Sequence, residues 1–203
     1  MKYLGYWEHL LFLALVLLLN YPALAQNKEN KWSVGLGVNA IDFRKVMYIK
    51  GFVDDYFDVS HDINMNFVPV RVSVDYTLNK KFTLQFSSAF NEVQKCKLYG
   101  ICESEHNQLF LAMDTQLKYD LNHFLGETGW FDPFVLIGTG YVHIGDFNTF
   151  NITGGYGFNT WYSEGIGFYF HSTYNHHTGL SPTDYFMHSI GVVVQLNKLS
   201  NSF

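Results

Sequence analysis

The chain has 203 residues, of which 15% are charged and 18% aromatic, and its formal net charge is -5. That length suits one domain, and so few charges are unusual for a soluble domain, in which about 25% of residues are charged. The mild negative charge, with no basic patch, excludes nucleic acid as an expected partner.

Residues 1–25 have the features of a secretory signal peptide. Lys2 precedes an apolar run over residues 10–19, and Ala23-Leu24-Ala25 provides a cleavage site of small residues. Cleavage after Ala25 would leave residues 26–203 as one mature domain. An uncleaved anchor is the alternative, but the run is short for crossing a bilayer. No later stretch approaches the roughly 18 apolar residues of a transmembrane helix, so none is expected in the mature chain.

The first predicted strand covers residues 32–40. Large apolar side chains on one face alternate with small ones on the other, which belong to Ser33, Gly35, Gly37 and Asn39. Small residues suit the interior of a narrow barrel. Residues 41–64 break the alternation and are predicted to form a long loop, whose acidic residues include Asp54, Asp55, Asp58 and Asp62.

Residues 67–90 contain the clearest strand pattern, a hairpin with its turn at residues 79–81. In each arm, valine or aromatic side chains alternate with mostly polar ones, and adjacent side chains of a strand point to opposite faces. Arg71 and Asp75 lie in mid-strand on the polar face, whereas the apolar face is unbroken. This is the pattern of a transmembrane barrel strand, with lipid outside and polar side chains inside.

Residues 92–105 form a second polar connection and contain both cysteines, Cys96 and Cys102. In an exported protein, this spacing is most simply explained by a structural disulfide that closes a loop tip. A metal site or a redox pair is the alternative, although these would require a tighter C-x-x-C spacing or additional ligands.

Five further strands are predicted at residues 107–119, 133–143, 150–161, 165–174 and 185–196. In the first of these, Asp114 and Lys118 again place charges in mid-strand on one face, opposite an apolar face. The facing of residues 134–137 is ambiguous because all four are apolar.

The eight strands and their alternating long and short connections predict an all-β fold, an eight-stranded antiparallel up-and-down transmembrane β-barrel. With the N-terminus in the periplasm, the external connections would be 42–64, 93–105, 145–149 and 175–184, and the periplasmic turns 79–81, 120–132 and 163–164. The expected location is the outer membrane of a Gram-negative-type cell, as a multi-pass barrel. A soluble periplasmic β-protein is the alternative.

The sequence resembles the eight-stranded barrel domain of OmpA/OmpX-type outer-membrane proteins. The residues that carry the resemblance are Asp132-Pro133-Phe134-Val135 with Gly138-Thr139-Gly140-Tyr141, and the stretch 171–192. The resemblance implies the barrel domain only, because the chain stops shortly after the eighth strand and a peptidoglycan-binding domain is not expected. Family members often end on an aromatic residue that closes the last strand, and Phe203 is terminal but follows a polar tail.

Charges inside such a narrow barrel must be paired, since burying an isolated charge is costly. Arg71, Asp75, Asp114 and Lys118 are predicted to point inward and to form a charge network. This network would either fill and rigidify the barrel or, if its pairs can exchange, gate a narrow water path.

Histidines near the last hairpin raise the alternative of catalysis, because some barrels of this size modify lipid A with a Ser, a His and an acidic residue. These histidines are His171, His176, His177 and His188, with Ser172, Ser189 and Asp184 nearby. Adjacent residues such as His171 and Ser172 face opposite sides of a strand and cannot form a nucleophile–base pair. A metal site at His176, His177 and Asp184 is also disfavoured. No catalytic residue, metal or cofactor is therefore predicted.

The expected function is a structural or surface-interaction role for an outer-membrane barrel whose loops meet an extracellular partner. External acidic and aromatic residues, such as Glu103, Glu105, Tyr56, Phe57 and Tyr99, would contribute to it. Expected partners are outer-membrane lipid and lipopolysaccharide, and the barrel is expected to be a monomer. A narrow ion or small-solute pore and a lipid A-modifying enzyme are the alternatives.

Overall fold

The computed structural model describes residues 31–43, 63–65, 71–93, 108–163, 165–178 and 184–196. The strand segments are β1 Trp32–Asp42, β2 Ile63–Met65, β3 Arg71–Thr77, β4 Phe82–Val93, β5 Gln108–Asp120, β6 Phe131–Ile144, β7 Phe147–Trp161, β8 Ile166–His177 and β9 Tyr185–Gln195. One short helix, α1 Asn122–Leu125, lies between β5 and β6. Among the described residues, no helix is long and apolar enough to cross a membrane.

The strands form one closed sheet. All pairings are antiparallel: β1 pairs with β2 and β3, each strand from β3 to β8 pairs with the next one in the chain, and β1 pairs with β9 to complete the circle. β2 and β3 both pair with the same edge of β1, where Ala40 lies opposite Met65 and Gly37 opposite Arg71. They therefore form two parts of one barrel strand, and the prediction of an eight-stranded antiparallel barrel is confirmed.

The alternation of the sequence sets the inside and the outside of the barrel. Most residues with odd numbers in β1 and β3, including Arg71 and Asp75, are buried inside, whereas Leu36 and Val72 are exposed on the outer face. β6 resolves the ambiguous stretch: Phe134 and Leu136 point inward. The pairing of β6 with β5 sets this orientation, because Leu136 lies opposite Lys118, which points inward.

The two ends of the barrel differ in their connections. One end of the barrel, called here the inner end, carries the first residues of β1, the last residues of β9 and the connections 78–81, 121–130 and 162–165. The outer end carries the connections 43–62, 94–107, 145–146 and 178–184. Short turns face the periplasm in bacterial barrels, which assigns the inner end to the periplasmic side.

Several connections differ from the sequence-based expectation. β1 continues to Asp42, β2 begins at Ile63 and β8 continues to His177, so strands occupy the ends of the predicted loops 41–64 and 175–184. The link between β6 and β7 was predicted at residues 145–149, but it is a tight turn at Gly145 and Asp146, where Gly145 has a φ of 57°. Glycine takes this conformation without steric cost, so both strands continue to the turn. The inner connection at residues 120–132 contains α1 rather than turn structure alone.

Glycines allow β1 and β9 to lie close together at the seam where the barrel closes. Gly37 lies opposite Gly191, and a methyl group added at Gly37 would be 2.8 Å from the Gly191 Cα and would also meet Ile190 and Tyr169. A methyl group added at Gly154, on the lipid-facing side of β7, would meet nothing within 4 Å.

We expect Gly37→Ala to destabilise the barrel by about 1–3 kcal/mol, because overpacking forces backbone and side chains apart. Gly154→Ala is the matched control and should change stability little. Urea unfolding of each refolded variant, monitored by heat-modifiable migration on gels, measures both stabilities. Equal stability of the two variants would contradict the close packing of this seam.

Candidate functional site in the barrel interior

The four charged residues predicted to face inward are all buried in the interior. Arg71 and Asp75 lie on β3, and Asp114 and Lys118 lie on β5. Each is at most 7% exposed. β4 separates the two strands in the sheet, so contacts between the two pairs cross the lumen side of β4.

Lys118 and Asp75 form a direct ion pair. The Lys118 Nζ lies 2.7 Å from the Asp75 Oδ2. The Gln85 Nε2 donates a hydrogen bond of 2.6 Å to the other carboxylate oxygen of Asp75. The ammonium group also lies 4.6 Å from the centre of the Phe134 ring, a cation–π geometry. Both oxygens of Asp75 are thus satisfied, which offsets the cost of burying this pair.

Arg71 and Asp114 are less completely paired. The Arg71 Nη2 donates to the Gln85 Oε1 at 3.4 Å and lies 3.5 Å from the His171 Nδ1, both long contacts. Neither carboxylate oxygen of Asp114 has a hydrogen-bond partner within the described part of the chain. The structure therefore brings Lys118 to Asp75 but does not join Arg71 to Asp114 directly.

An apolar cluster, called here the apolar plug, lies in the interior at the outer end, beside buried amides such as Asn91 and Asn151. Its aromatic rings are in contact: the Tyr185 ring lies 5.7 Å from Phe43 and 5.5 Å from Phe110, between centroids. The plug consists of Ile41, Phe43, Ala89, Val93, Phe110, Ala112, Val142, Ile144, Tyr185 and Met187. It separates the charged groups from the outer mouth of the barrel.

The inner end is more open. A cavity of about 70 Å³ is lined by turn residues such as Lys80 and reaches Asp75 and Lys118. The Asp132 carboxylate helps to shape this mouth, because it accepts hydrogen bonds from the Asn122 Nδ2 at 2.6 Å and the Trp161 Nε1 at 2.5 Å. The ion pair is therefore close to water at the inner end.

The structure places the histidines on both faces of the barrel wall. His171 points inward, as the alternation predicts, so it does not contact the outward hydroxyl of Ser172. Ser172 instead lies opposite His188 in the register of β8 and β9, with 3.0 Å between its Oγ and the His188 Nδ1. Sequence reasoning missed this pair because it depends on the register of two strands. Ser172 is only 2% exposed, which shields it from a substrate.

A polar cluster at the outer end links β8 to the start of β9. The Asp184 Oδ2 accepts hydrogen bonds from the Tyr174 hydroxyl at 2.5 Å and from the His176 ring at 3.0 Å. The Asp184 Oδ1 accepts one from the backbone amide of His177 at 3.1 Å. The His177 side chain points inward, so the two adjacent histidines do not share one site.

Asp184 precedes β9 and lies outside the membrane-spanning strands. Burial alone would raise the pKa of its carboxyl, but the three hydrogen bonds and the charge of His176 outweigh burial and lower this pKa below its ordinary value of 3.8. These contacts stabilise the fold above the unfolded-state pKa, and the stabilisation is lost as the pH falls through the lowered pKa.

Several predicted features lie outside the described residues. They are the signal peptide 1–25, the disulfide between Cys96 and Cys102, and the acidic and aromatic loop residues between 54 and 62 and between 99 and 105. In the described part, no group of His, Cys, Asp and Glu side chains is arranged to hold a metal ion.

Solved structures with a similar fold are outer-membrane β-barrels. Neisserial surface protein A is 11% identical, with a TM-score of 0.57 over 81% of this chain and 97% of that one. OprG from Pseudomonas aeruginosa is 12% identical, with a TM-score of 0.53 over 81% and 95%. The outer membrane protein AlkL is 14% identical, with a TM-score of 0.50 over 86% and 94%. No family model matches the chain, and no curated protein matches its sequence.

The fold therefore defines the class of protein, a closed eight-stranded β-barrel of the outer-membrane type. Large apolar side chains cover the outer face of its strands, including Ile137 at 63% exposure and Phe150 at 64%. Such a face requires lipid around it. The fold and this apolar face are those of an integral outer-membrane protein that crosses the membrane with strands.

We expect Lys118→Met and Asp75→Asn each to destabilise the barrel by about 3–5 kcal/mol, because each leaves an uncompensated buried charge or a polar group without its partner. The double variant should lose less than the sum of the two single losses, since it removes both members of the pair. Urea unfolding of the wild type, the two single variants and the double variant in lipid vesicles measures these losses. Additive losses would mean that the 2.7 Å contact contributes nothing to stability.

We expect the amide proton signal of His177 to follow the protonation of Asp184, because the amide donates to this carboxylate. The midpoint should lie below 3.8, in line with the lowered pKa. NMR spectra of the barrel recorded between neutral pH and about pH 2 would measure it, a range that brackets the titration of ordinary carboxyls. Asp184→Asn should abolish the titration, and a midpoint at or above 3.8 would contradict the described contacts.

Proposed function

We propose that this barrel has a structural or surface-interaction role, without enzymatic activity, and acts through its external loops. The observation that carries the proposal is the filled interior. The apolar plug occupies the outer end, and the buried charges Arg71, Asp75, Asp114 and Lys118 occupy the lumen beneath it. A barrel that holds its own side chains in this way has only its surfaces left for recognition.

The packing argues against a narrow pore. Ions that enter at the inner end would meet the Lys118–Asp75 pair and then a layer of tightly packed apolar side chains, of which Ile41, Phe110 and Ile144 are fully buried. A packed layer of this kind disfavours the passage of ions, because ions must leave water to enter it. The role of the charge network is thus to fill and rigidify the lumen.

The burial of Ser172 supports a non-enzymatic role. The hydroxyl of Ser172 contacts His188, but the serine is almost completely covered by its neighbours. A nucleophile acts on a substrate only when its oxygen can be reached. The polar pair instead satisfies two hydrogen-bonding groups on a face that meets lipid.

The proposed partners contact two different surfaces of the barrel, its lipid-facing side and its external connections. Outer-membrane lipid and lipopolysaccharide surround the apolar belt, and an extracellular partner binds acidic and aromatic residues of the long connections 43–62 and 94–107. The barrel acts as a monomer and does not bind nucleic acid.

Planar-bilayer recordings and cell-surface binding test the proposal together. The wild-type barrel should give no single-channel currents, whereas Phe110→Ser combined with Tyr185→Ser should introduce currents, because it replaces two plug rings with small polar groups. Replacement of residues 44–62 by a short Gly-Ser linker should abolish binding of expressing cells to their extracellular ligand without changing heat-modifiable migration. Stepwise currents from the wild type, or a change in lipid A mass on expression that Ser172→Ala removes, would contradict the proposal.

A further inference from the structure

The inner end of the barrel carries an exposed apolar helix. Phe124 and Leu125 of α1 are 71% and 69% exposed, and no other large apolar side chain among the described residues is more exposed. These two residues lie in a connection, not on the lipid-facing side of a strand. An apolar pair of this kind in contact with water marks an interaction site.

The position of α1 is fixed by polar contacts on its other side. The side chain of Asn122 is buried and donates a hydrogen bond of 2.6 Å to the Asp132 carboxylate, which also holds the Trp161 ring. The Asn122 backbone amide donates to the Asp120 carboxylate at 2.7 Å. Because Asn122 points into the barrel mouth, Phe124 and Leu125 are held on the outside.

The exposed pair is continuous with the lipid-facing belt of the barrel. The Phe124 ring lies 6.3 Å from the Tyr119 ring, and the Tyr119 ring lies 5.2 Å from the Phe82 ring, between centroids. Tyr119 and Phe82 are a cross-strand pair on the outer face of β5 and β4. A row of aromatic rings therefore extends from the belt onto α1.

We propose that α1 is an interfacial anchor whose Phe124 and Leu125 side chains insert into the periplasmic leaflet of the outer membrane. Aromatic and apolar side chains at this level bury their rings among lipid headgroups and the first acyl carbons. The continuity of the ring row with the belt selects lipid as the occupant over a protein partner or a second copy. The anchor goes beyond the proposed surface role, because it fixes the depth of the barrel at the opposite face.

The composition of the connection that contains α1 indicates which interaction would hold α1 at the membrane. Residues 121–130 contain no lysine or arginine, and Glu127 is their only acidic residue. Anchoring should then come from apolar burial and should not depend on anionic lipids or on salt.

The test uses an environment-sensitive NBD label on the full mature chain in phosphatidylcholine vesicles, with Cys96→Ser and Cys102→Ser as background. The label is attached at Phe124→Cys, with Lys80→Cys, in the exposed turn 78–81 of the same end, as the matched control. Leu125→Cys serves as a second probe position, and heat-modifiable migration verifies that each labelled barrel is folded.

Insertion predicts a blue-shifted emission at positions 124 and 125, at least a two-fold stronger quenching by nitroxide-labelled lipid than at position 80, and no change between low and high salt. Emission and quenching equal to those at position 80 would overturn the proposal. Shielding that requires a high protein-to-lipid ratio would also overturn it, because this result would assign α1 to contact with a second copy. Neither result depends on whether the outer loops bind a partner.

Discussion

The closure of β1 on β9 is the constraint on which the rest of this molecule depends. A strand inside a membrane has no water to satisfy its backbone N–H and C=O groups, so an open edge there would be costly. The pairing from Ser33 with Gln195 to Asp42 with Phe186 removes that edge. With eight strands, closure leaves an interior only wide enough for side chains, and small residues such as Gly37 and Gly191 admit Tyr169 near the seam.

A narrow interior then determines where charges can be tolerated. Lys118 and Asp75 contact each other beside a cavity at the inner end, where water is near, whereas the outer end is closed by the apolar plug. The charged groups thus lie toward the inner end, whereas the outer part of the lumen holds the apolar plug together with buried amides such as Asn151 and Asn175. This division is consistent with a scaffold whose recognition lies outside the barrel.

Much of the fold could be predicted from alternation alone, because a strand with one lipid face and one lumen face leaves a period of two in the sequence. Where alternation is missing, as at Phe134 and Leu136, only register with β5 decides the facing. Contacts that depend on register and strand tilt could not be predicted for the same reason. They include the choice of partners within the predicted charge network, where Asp75 pairs with Lys118, and the contact of Ser172 with His188. The helix α1 escaped prediction because four residues are too few to give a helical pattern.

The connection between β6 and β7 is the shortest one at the outer end of the barrel. Here the connection is two residues, and the strand tips are cross-linked, since the Asn148 side chain accepts from the Tyr141 hydroxyl and contacts the His143 ring, both at 2.7 Å. A foreign peptide grafted between Gly145 and Asp146 would be displayed on a rigid stem, which makes this hairpin the natural position for an epitope on the cell surface.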